Sequence, residues 1–188
     1  RAGVAVRVHL KVDTGMGRIG FTADDDMERA VAEMAEACAL PGLVPVGVFT
    51  HFAAADSTAP EDIAYTRRQY DILCAAVEEM AARGCTFAVK HCCNSAGSLT
   101  VGRDFAALDC VREGITLYGL CPSAALKNAA ALKPVMSLKT VVSMVKTVEK
   151  GDTVSYGMTF TAQKTMRLAT VCIGYADGYP RRLSSKGY

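Results

Sequence analysis

Tryptophan is absent from the 188 residues, histidine occurs three times and proline six. No apolar stretch approaches the ~18 consecutive residues of a membrane span, and no signal peptide is expected. Neither sign of charge dominates: 21 Lys and Arg against 19 Asp and Glu leave +2, with no basic run. Nucleic acid and membrane are therefore not expected partners. Metal ligands are scarce too. His91, Cys92 and Cys93 stand together, but adjacent side chains rarely wrap one tetrahedral ion and no second cluster follows, so no metal is expected. Ser95 lacks the Gly-x-Ser-x-Gly elbow of a hydrolase nucleophile. There is no internal repeat and no low-complexity segment.

What is present is enough apolar material for a sizeable core, 51% of the chain. The eight cysteines (Cys38, Cys74, Cys85, Cys92, Cys93, Cys110, Cys121 and Cys172) sit mostly inside apolar patterns, as small hydrophobes. In a chain of this size they imply a reduced, cytoplasmic setting instead of a disulfide framework.

Strand and helix signals alternate in the first part. Val4–Val12 reads as a buried strand. A helix is expected from Thr22, with Asp25 three residues on and Met27, Val31, Met34, Ala35 and Cys38 at helical spacing up to Pro41 and Gly42. Val44–His51 is a second strand. Thr58 and Glu61 form a capping box around Pro60, and Ile63, Tyr70, Leu73, Val77 and Met80 give a helical stripe ending at Gly84. Thr86–His91 and Ala107–Arg112 are third and fourth strands. Leu120–Lys133 is linker-like, and the remainder reads as β: Val135–Val148, a Gly151–Asp152 turn, then Arg167–Ile173. The expected class is α/β, with parallel strands and covering helices followed by the start of a mostly β domain. Four strands cannot close a barrel. The start at Arg1 without Met suggests an excerpt of a longer protein.

Polar and glycine-bearing ends follow the apolar runs at Lys11–Arg18, Thr50–His51, His91–Ser95 and Arg112–Ile115. In a parallel barrel such ends collect on one face, where chemistry sits. Asn94-Ser95-Ala96-Gly97 and Arg112-Glu113-Gly114-Ile115 are small turns whose N–H groups suit a phosphate. The most specific run is His9–Phe21, HLKVDTGMGRIGF, in which Gly15, Gly17 and Gly20 lie among Lys11, Asp13 and Arg18.

That run resembles the Lys-Val-Asp-Thr-Gly-Met-Gly-Arg segment of alanine racemases, which are pyridoxal 5'-phosphate enzymes of fold-type III. The similarity continues in the family's order to Gly174-Tyr175-Ala176-Asp177-Gly178 and Arg181. The resemblance implies the C-terminal half of a TIM-type (β/α)8 barrel, with a partial cofactor-binding domain at 1–132 and a partial C-terminal β domain at 133–188. It implies racemisation of L- and D-alanine for bacterial peptidoglycan by a cytoplasmic homodimer whose sites are shared between subunits. Tyr175 is then the acid/base that reaches into the partner subunit's site. Arg18 meets the cofactor's phenolic oxygen and the substrate carboxylate, and His51 lies against the cofactor ring. Asn94, Ser95, Gly114 and Ile115 hold the cofactor, with Arg112 at its ring nitrogen. Lys11 matches a position that is N-carboxylated in many members. The lysine that bonds the cofactor falls on none of these residues, so the segment alone is expected to be inactive. Glu113 departs from the family, where many members carry proline.

Plainer readings stand beside these. Lys11 and Asp13 also fit a structural ion pair, and His51 a satisfied core histidine. His9 reads as structural, and Tyr118, Tyr156, Tyr179 and Tyr188 as packing aromatics. The functional alternatives are a serine or broad-specificity racemase, a non-catalytic pyridoxal-phosphate-binding homologue, and a barrel for another phosphorylated ligand.

Overall fold

Parallel strand pairing organises the first part of the chain, as the alternation of strand and helix signals requires. A computed structural model describes residues 3–101 and 108–184. In it the chain divides into two compact units, Arg1–Met136 and Ser137–Tyr188. The first contains β1 (Val6–Asp13), β2 (Phe21–Thr22), α1 (Met27–Cys38), β3 (Leu43–Phe49), α2 (Pro60–Ala82), β4 (Val89–His91) and the short α3 (Ser95–Thr100). The sheet order is β2-β1-β3-β4 and every pairing is parallel.

The carboxyl-terminal half of β1 is buried on both faces: Leu10, Lys11, Val12 and Asp13 are all covered. Its other end differs from the sequence reading. Val4 and Val6 are exposed, because no element among the described residues covers that end. The core lies between strands and helices, where Val12, Val48, Val31, Met34, Leu73 and Met80 are fully buried. Each such side chain contributes about 1.5–3 kcal/mol.

Several boundaries moved for identifiable reasons. Thr22 does not start a helix, since Phe21 and Thr22 pair with Val12 and Asp13 as a short strand. Asp26 caps α1 instead, its carboxylate accepting from the Arg29 N–H at 3.0 Å. The Thr58–Glu61 capping box is not formed: Ala59 holds the cap position without a side-chain bond, and Pro60 opens α2. The buried stripe of α2 is Thr66, Gln69, Leu73, Ala76 and Met80, while Ile63 is exposed. The third strand is only Val89–His91. Residues 108–112 form no strand, and Ala107 lies outside the described residues. Asp109 Oδ2 accepts the Lys90 N–H at 2.7 Å, so a side chain takes a donor that a neighbouring strand would have met.

Gln69 is the most informative of these differences. It is fully buried, accepts the Ala53 N–H at 2.9 Å, and donates to Thr14 Oγ1 at 3.2 Å and the His51 carbonyl at 3.3 Å. Thr14 and Thr50 share a further bond at 2.7 Å. The helix is thereby tied to the segments leaving β1 and β3.

The second unit pairs β5 (Val142–Val148) with β8 (Met166–Val171), and β6 (Thr153–Val154) with β7 (Phe160–Thr161), both antiparallel. Val148 and Ala162 are its buried residues among those described. The sequence pattern had not separated out the small β6–β7 pair, because two-residue strands carry no periodicity.

Replacing Gln69 with Leu is expected to take the partner from the Ala53 N–H and from the His51 carbonyl, at roughly 1–3 kcal/mol each, while Thr14 keeps its bond to Thr50. Urea denaturation of the full-length protein should then show a loss of about 3 kcal/mol; an unchanged midpoint would mean that water takes over these bonds.

Candidate active site

Three segments that leave the strands β1, β3 and β4, and a fourth that carries Arg112, meet at one end of the first unit. The first is the turn after β1, where the Asp13 carboxylate accepts the N–H groups of Gly15, Met16 and Gly17 at 2.9–3.1 Å. Gly20 has φ +122°, and a Cβ there would stand 2.7 Å from the Lys11 carbonyl, so only glycine lets this turn fold back on its strand. Tyr65 of α2 holds the same turn by donating to the Gly15 carbonyl at 2.8 Å. Lys11 donates to the carbonyl of Ile19. Among the described residues it forms no contact ion pair with Asp13, which corrects the simpler reading.

The second and third segments follow β3 and β4. His51 stands between Arg112 Nη2, at its Nδ1, and Asn94 Nδ2, at its Nε2, both at 3.3 Å, and as a neutral ring it accepts from one of the two. Asn94 is fixed by its other bonds: it caps α3 by accepting the Gly97 N–H at 2.9 Å and donates to the Phe52 carbonyl. Ser95 is buried, and its Oγ accepts the Gly114 N–H at 2.7 Å and shares a hydroxyl–hydroxyl bond with Thr116 at 3.1 Å.

The fourth segment brings Arg112. Its guanidinium donates to the Thr50 carbonyl at 2.9 Å and the Cys92 carbonyl at 3.1 Å, and reaches His91 Nδ1 at 2.6 Å. It also lies 5.1 Å from the Phe49 ring, on which the His91 ring stacks. Glu113 is turned aside, its carboxylate accepting from Thr116.

The electrostatics follow from burial and positive charge. Lys11 is pushed below its ordinary pKa by burial; Asp13 opposes this, while Arg18 and Arg112 add to it. His51 is lowered by burial, then by Arg112, Arg18 and Lys11. His91 is pushed down to about 4 by burial, with Arg112 and His9 adding and Asp109 opposing. Burial works against ionisation of Asp13, but its three N–H donors and Lys11 hold its carboxyl below the usual range. Both imidazoles are therefore neutral at pH 7 within a positive field.

The structure thus brings together His51, Asn94, Ser95, Arg112 and Gly114, with Ile115 opening the 3-10 turn that follows. Lys11 and Arg18 join them electrostatically, and Arg18 is exposed. The donor set suits a phosphorylated, electron-rich cofactor: a hydroxyl, a glycine N–H and a guanidinium, with the one acid among them already bonded. Gln69, Thr14 and Tyr65 support these groups and were missed, because single polar residues in helix or loop patterns carry no such signal. His9 bonds His91 at 2.8 Å.

Tyr175 lies in the second unit. Its turn is local: Asp177 accepts the Gly174 N–H at 2.9 Å and Gly178 has φ +86°. The side chain is 71% exposed, with the Arg181 guanidinium 5.8 Å from its ring. Tyr118, Tyr156 and Tyr179 are exposed too, so they do not pack as expected; Tyr188 lies outside the described residues. Cys92 and Cys93 are buried, whereas Cys110 and Cys172 are exposed. Among the described residues no three His, Cys, Asp or Glu side chains are grouped to hold a metal, and no helix is long and apolar enough to cross a membrane.

Comparison with known proteins is consistent along the chain. Residues 1–122 match the family described as alanine racemase, N-terminal domain, and residues 135–188 match alanine racemase, C-terminal domain. An alanine racemase of Desulforamulus reducens is 46% identical over 98% of this chain and 48% of its own length. The solved alanine racemase of Streptomyces coelicolor superposes with a TM-score of 0.77 at 38% identity, over 99% of this chain and 48% of that one. That of Bacillus anthracis, solved with bound L-Ala-P, gives 0.72 at 35% identity, over 95% of this chain and 45% of its own. The chain spans about half the length of the relatives it matches.

Acid should weaken the fold through His91. Unfolded, this imidazole takes a proton near 6.5; folded, only near 4, so the unfolded state binds more protons between those values. Stability is then lost as pH falls from about 6.5 to 4, on the order of 2 kcal/mol, with His51 acting in the same direction. Asp13 adds its own loss lower, below 3.8. Urea midpoints at pH 7, 5.5 and 4 should drop steadily in the wild type and more shallowly in His91→Asn.

Proposed function

The chain belongs to the alanine racemase family, and from that premise we propose that the full protein interconverts L- and D-alanine with pyridoxal 5'-phosphate. The α/β part followed by a β part superposes on about half the length of solved alanine racemases. The observation that supports the activity most directly is the meeting of Arg112, His51, Ser95 and Gly114 where β3 and β4 end. The proposal takes residues 1–132 as a partial cofactor-binding barrel and 133–188 as a partial β domain. It takes the working enzyme as a cytoplasmic homodimer that supplies D-alanine for peptidoglycan.

Pyridoxal phosphate, when bound, supplies an electron sink for the charge that develops at the substrate α-carbon. The chain's own residues do the rest. Ser95 and the backbone N–H groups of Gly114 and Ile115 would hold the phosphate, the Gly114 N–H turning to it from Ser95 Oγ, and Asn94 caps α3 beside the His51 imidazole. His51, lowered in pKa, would lie against the cofactor ring. Arg112 carries only donors, so it offers the ring nitrogen a hydrogen bond without surrendering a proton. Arg18, exposed at the end of the glycine turn, binds the substrate carboxylate and the cofactor's phenolic oxygen. Burial lowers the pKa of Lys11, which favours the amine form that N-carboxylation uses, and the resulting anion would orient Arg18.

Racemisation needs a proton carrier on each face of the α-carbon. Tyr175 takes or returns the proton at its phenolic oxygen on one face, in the partner subunit's site. Its exposure on a locally built turn suits a residue that acts outside its own unit.

Racemisation of L-alanine and L-serine by the full-length protein with pyridoxal phosphate tests this, beside Tyr175→Phe and Ser95→Ala. Alanine should turn over fast, and Tyr175→Phe should lose about 10²–10⁴-fold in kcat. Ser95→Ala should weaken cofactor binding about tenfold. Preference for serine would keep the chemistry and change the substrate. A protein that binds the cofactor and turns over neither amino acid would be a non-catalytic homologue.

A further inference from the structure

Behind Arg112 runs a line of two histidines that the proposed reaction does not use. His91 sits at the end of β4, and His9 stands two strands away on β1, with β3 between them. His9 Nδ1 nevertheless lies 2.8 Å from His91 Nε2, their ring centroids 5.1 Å apart. The residue between them is Gly47, paired in register with His9 on one side and Val89 on the other. A Cβ on Gly47 would stand 2.5 Å from both Cε1 and Nδ1 of His9. Glycine inside a strand weakens it; here its missing side chain is the space through which the imidazole crosses.

Hydrogen-bond polarity fixes the protons along this line. Arg112 has donors only, so His91 Nδ1, 2.6 Å from Nη1, must accept. A neutral His91 then carries its proton on Nε2 and donates it to His9 Nδ1, which leaves the His9 proton on Nε2. Each bond polarises the next, so an acceptor at His9 makes His91 a better acceptor for Arg112. The depressed pKa of His91 agrees with this neutral form.

We propose that His9 is a positioning residue: through His91, across the gap left by Gly47, it fixes the Arg112 guanidinium in the pose from which it meets the cofactor's ring nitrogen. The proposal rests on the racemase reading for what Arg112 meets, but the proton arrangement stands on geometry alone.

The test therefore begins without cofactor. ¹⁵N-histidine NMR of the full-length apoprotein near neutral pH, with the His91 signal assigned by its loss in His91→Asn, should show one tautomer protonated at Nε2. Its Nε2–H should exchange slowly. His9→Phe keeps a ring and removes the acceptor. It should shift the His91 Nε2 signal, speed that exchange at least about tenfold, and weaken pyridoxal phosphate binding about tenfold. His9→Asn, which returns an acceptor near the Nδ1 position, should restore the His91 signal and most of the affinity. A wild-type His91 protonated at Nδ1 would overturn the proposal whether or not the variants fold. So would a folded His9→Phe protein with an unchanged His91 signal. If His91 responds as expected but the wild type binds cofactor and fails to racemise alanine, the relay stands and the racemase reading falls.

Discussion

Arg112 closes the carboxyl ends of β3 and β4 by donating to the Thr50 and Cys92 carbonyls while facing both His51 and His91. Hydrogen bonds from a charged donor contribute roughly 1.5–3 kcal/mol each. Those two carbonyls therefore offset a good part of the cost of half-burying a guanidinium. They orient the cation without neutralising it. Among the described residues no carboxylate lies within ion-pair range of it. Its field is felt around the site: it helps to lower Lys11, His51 and His91. A positive, hydrogen-bonded centre with neutral imidazoles around it is arranged for an anionic, aromatic ligand. The proposed cofactor has both properties, and an amino-acid carboxylate shares the negative charge.

The glycine turn after β1 and the buried Gln69 bring the remaining groups to that centre by different means. Asp13 gathers three N–H groups of its own turn, a local arrangement that shapes the path to Arg18. Gln69 works across the fold, joining α2 to Thr14, the His51 carbonyl and the Ala53 N–H. Local bonds set the shape of each loop, and the tertiary bonds set where the loops stand. A buried amide suits this task because it has a donor and an acceptor and no charge to desolvate.

This difference explains what could be read from residues alone. The strand into the glycine turn, the strand ends that precede His51, Asn94 and Ser95, and the Gly174–Gly178 turn all depend on neighbours in sequence, and each is legible there. Gln69 was not, because helical periodicity asks for apolar residues and the amide is satisfied by partners up to 55 positions away. The expected fourth strand failed for a related reason. Residues 108–112 have a strand-like composition, yet Asp109 meets the Lys90 N–H with its side chain, so the ladder does not form there. Helix starts were misjudged where two acidic or hydroxyl candidates stood close together. Pairing of Phe21–Thr22 with β1 chose Asp26 over Thr22, and no short-range rule contains that pairing.

Gly47 and His9 show how one strand position can serve the site from behind. In sequence, Gly47 is a weak spot in an apolar strand and His9 a polar residue ahead of the functional end of β1. Register makes them partners, since pairing His9 with Gly47 puts the imidazole where a side chain from β3 would otherwise stand. A one-residue slip of β1 against β3 would turn every side chain of β1 to the other face. His9 would then leave the gap, and Lys11 and Asp13 would leave their present surroundings. The bulge between Val8 and His9 lies where the two strands change register, just before the residues that matter. Strand register, more than any single contact, thus couples the glycine turn at one end of β1 to the arginine held at the ends of β3 and β4.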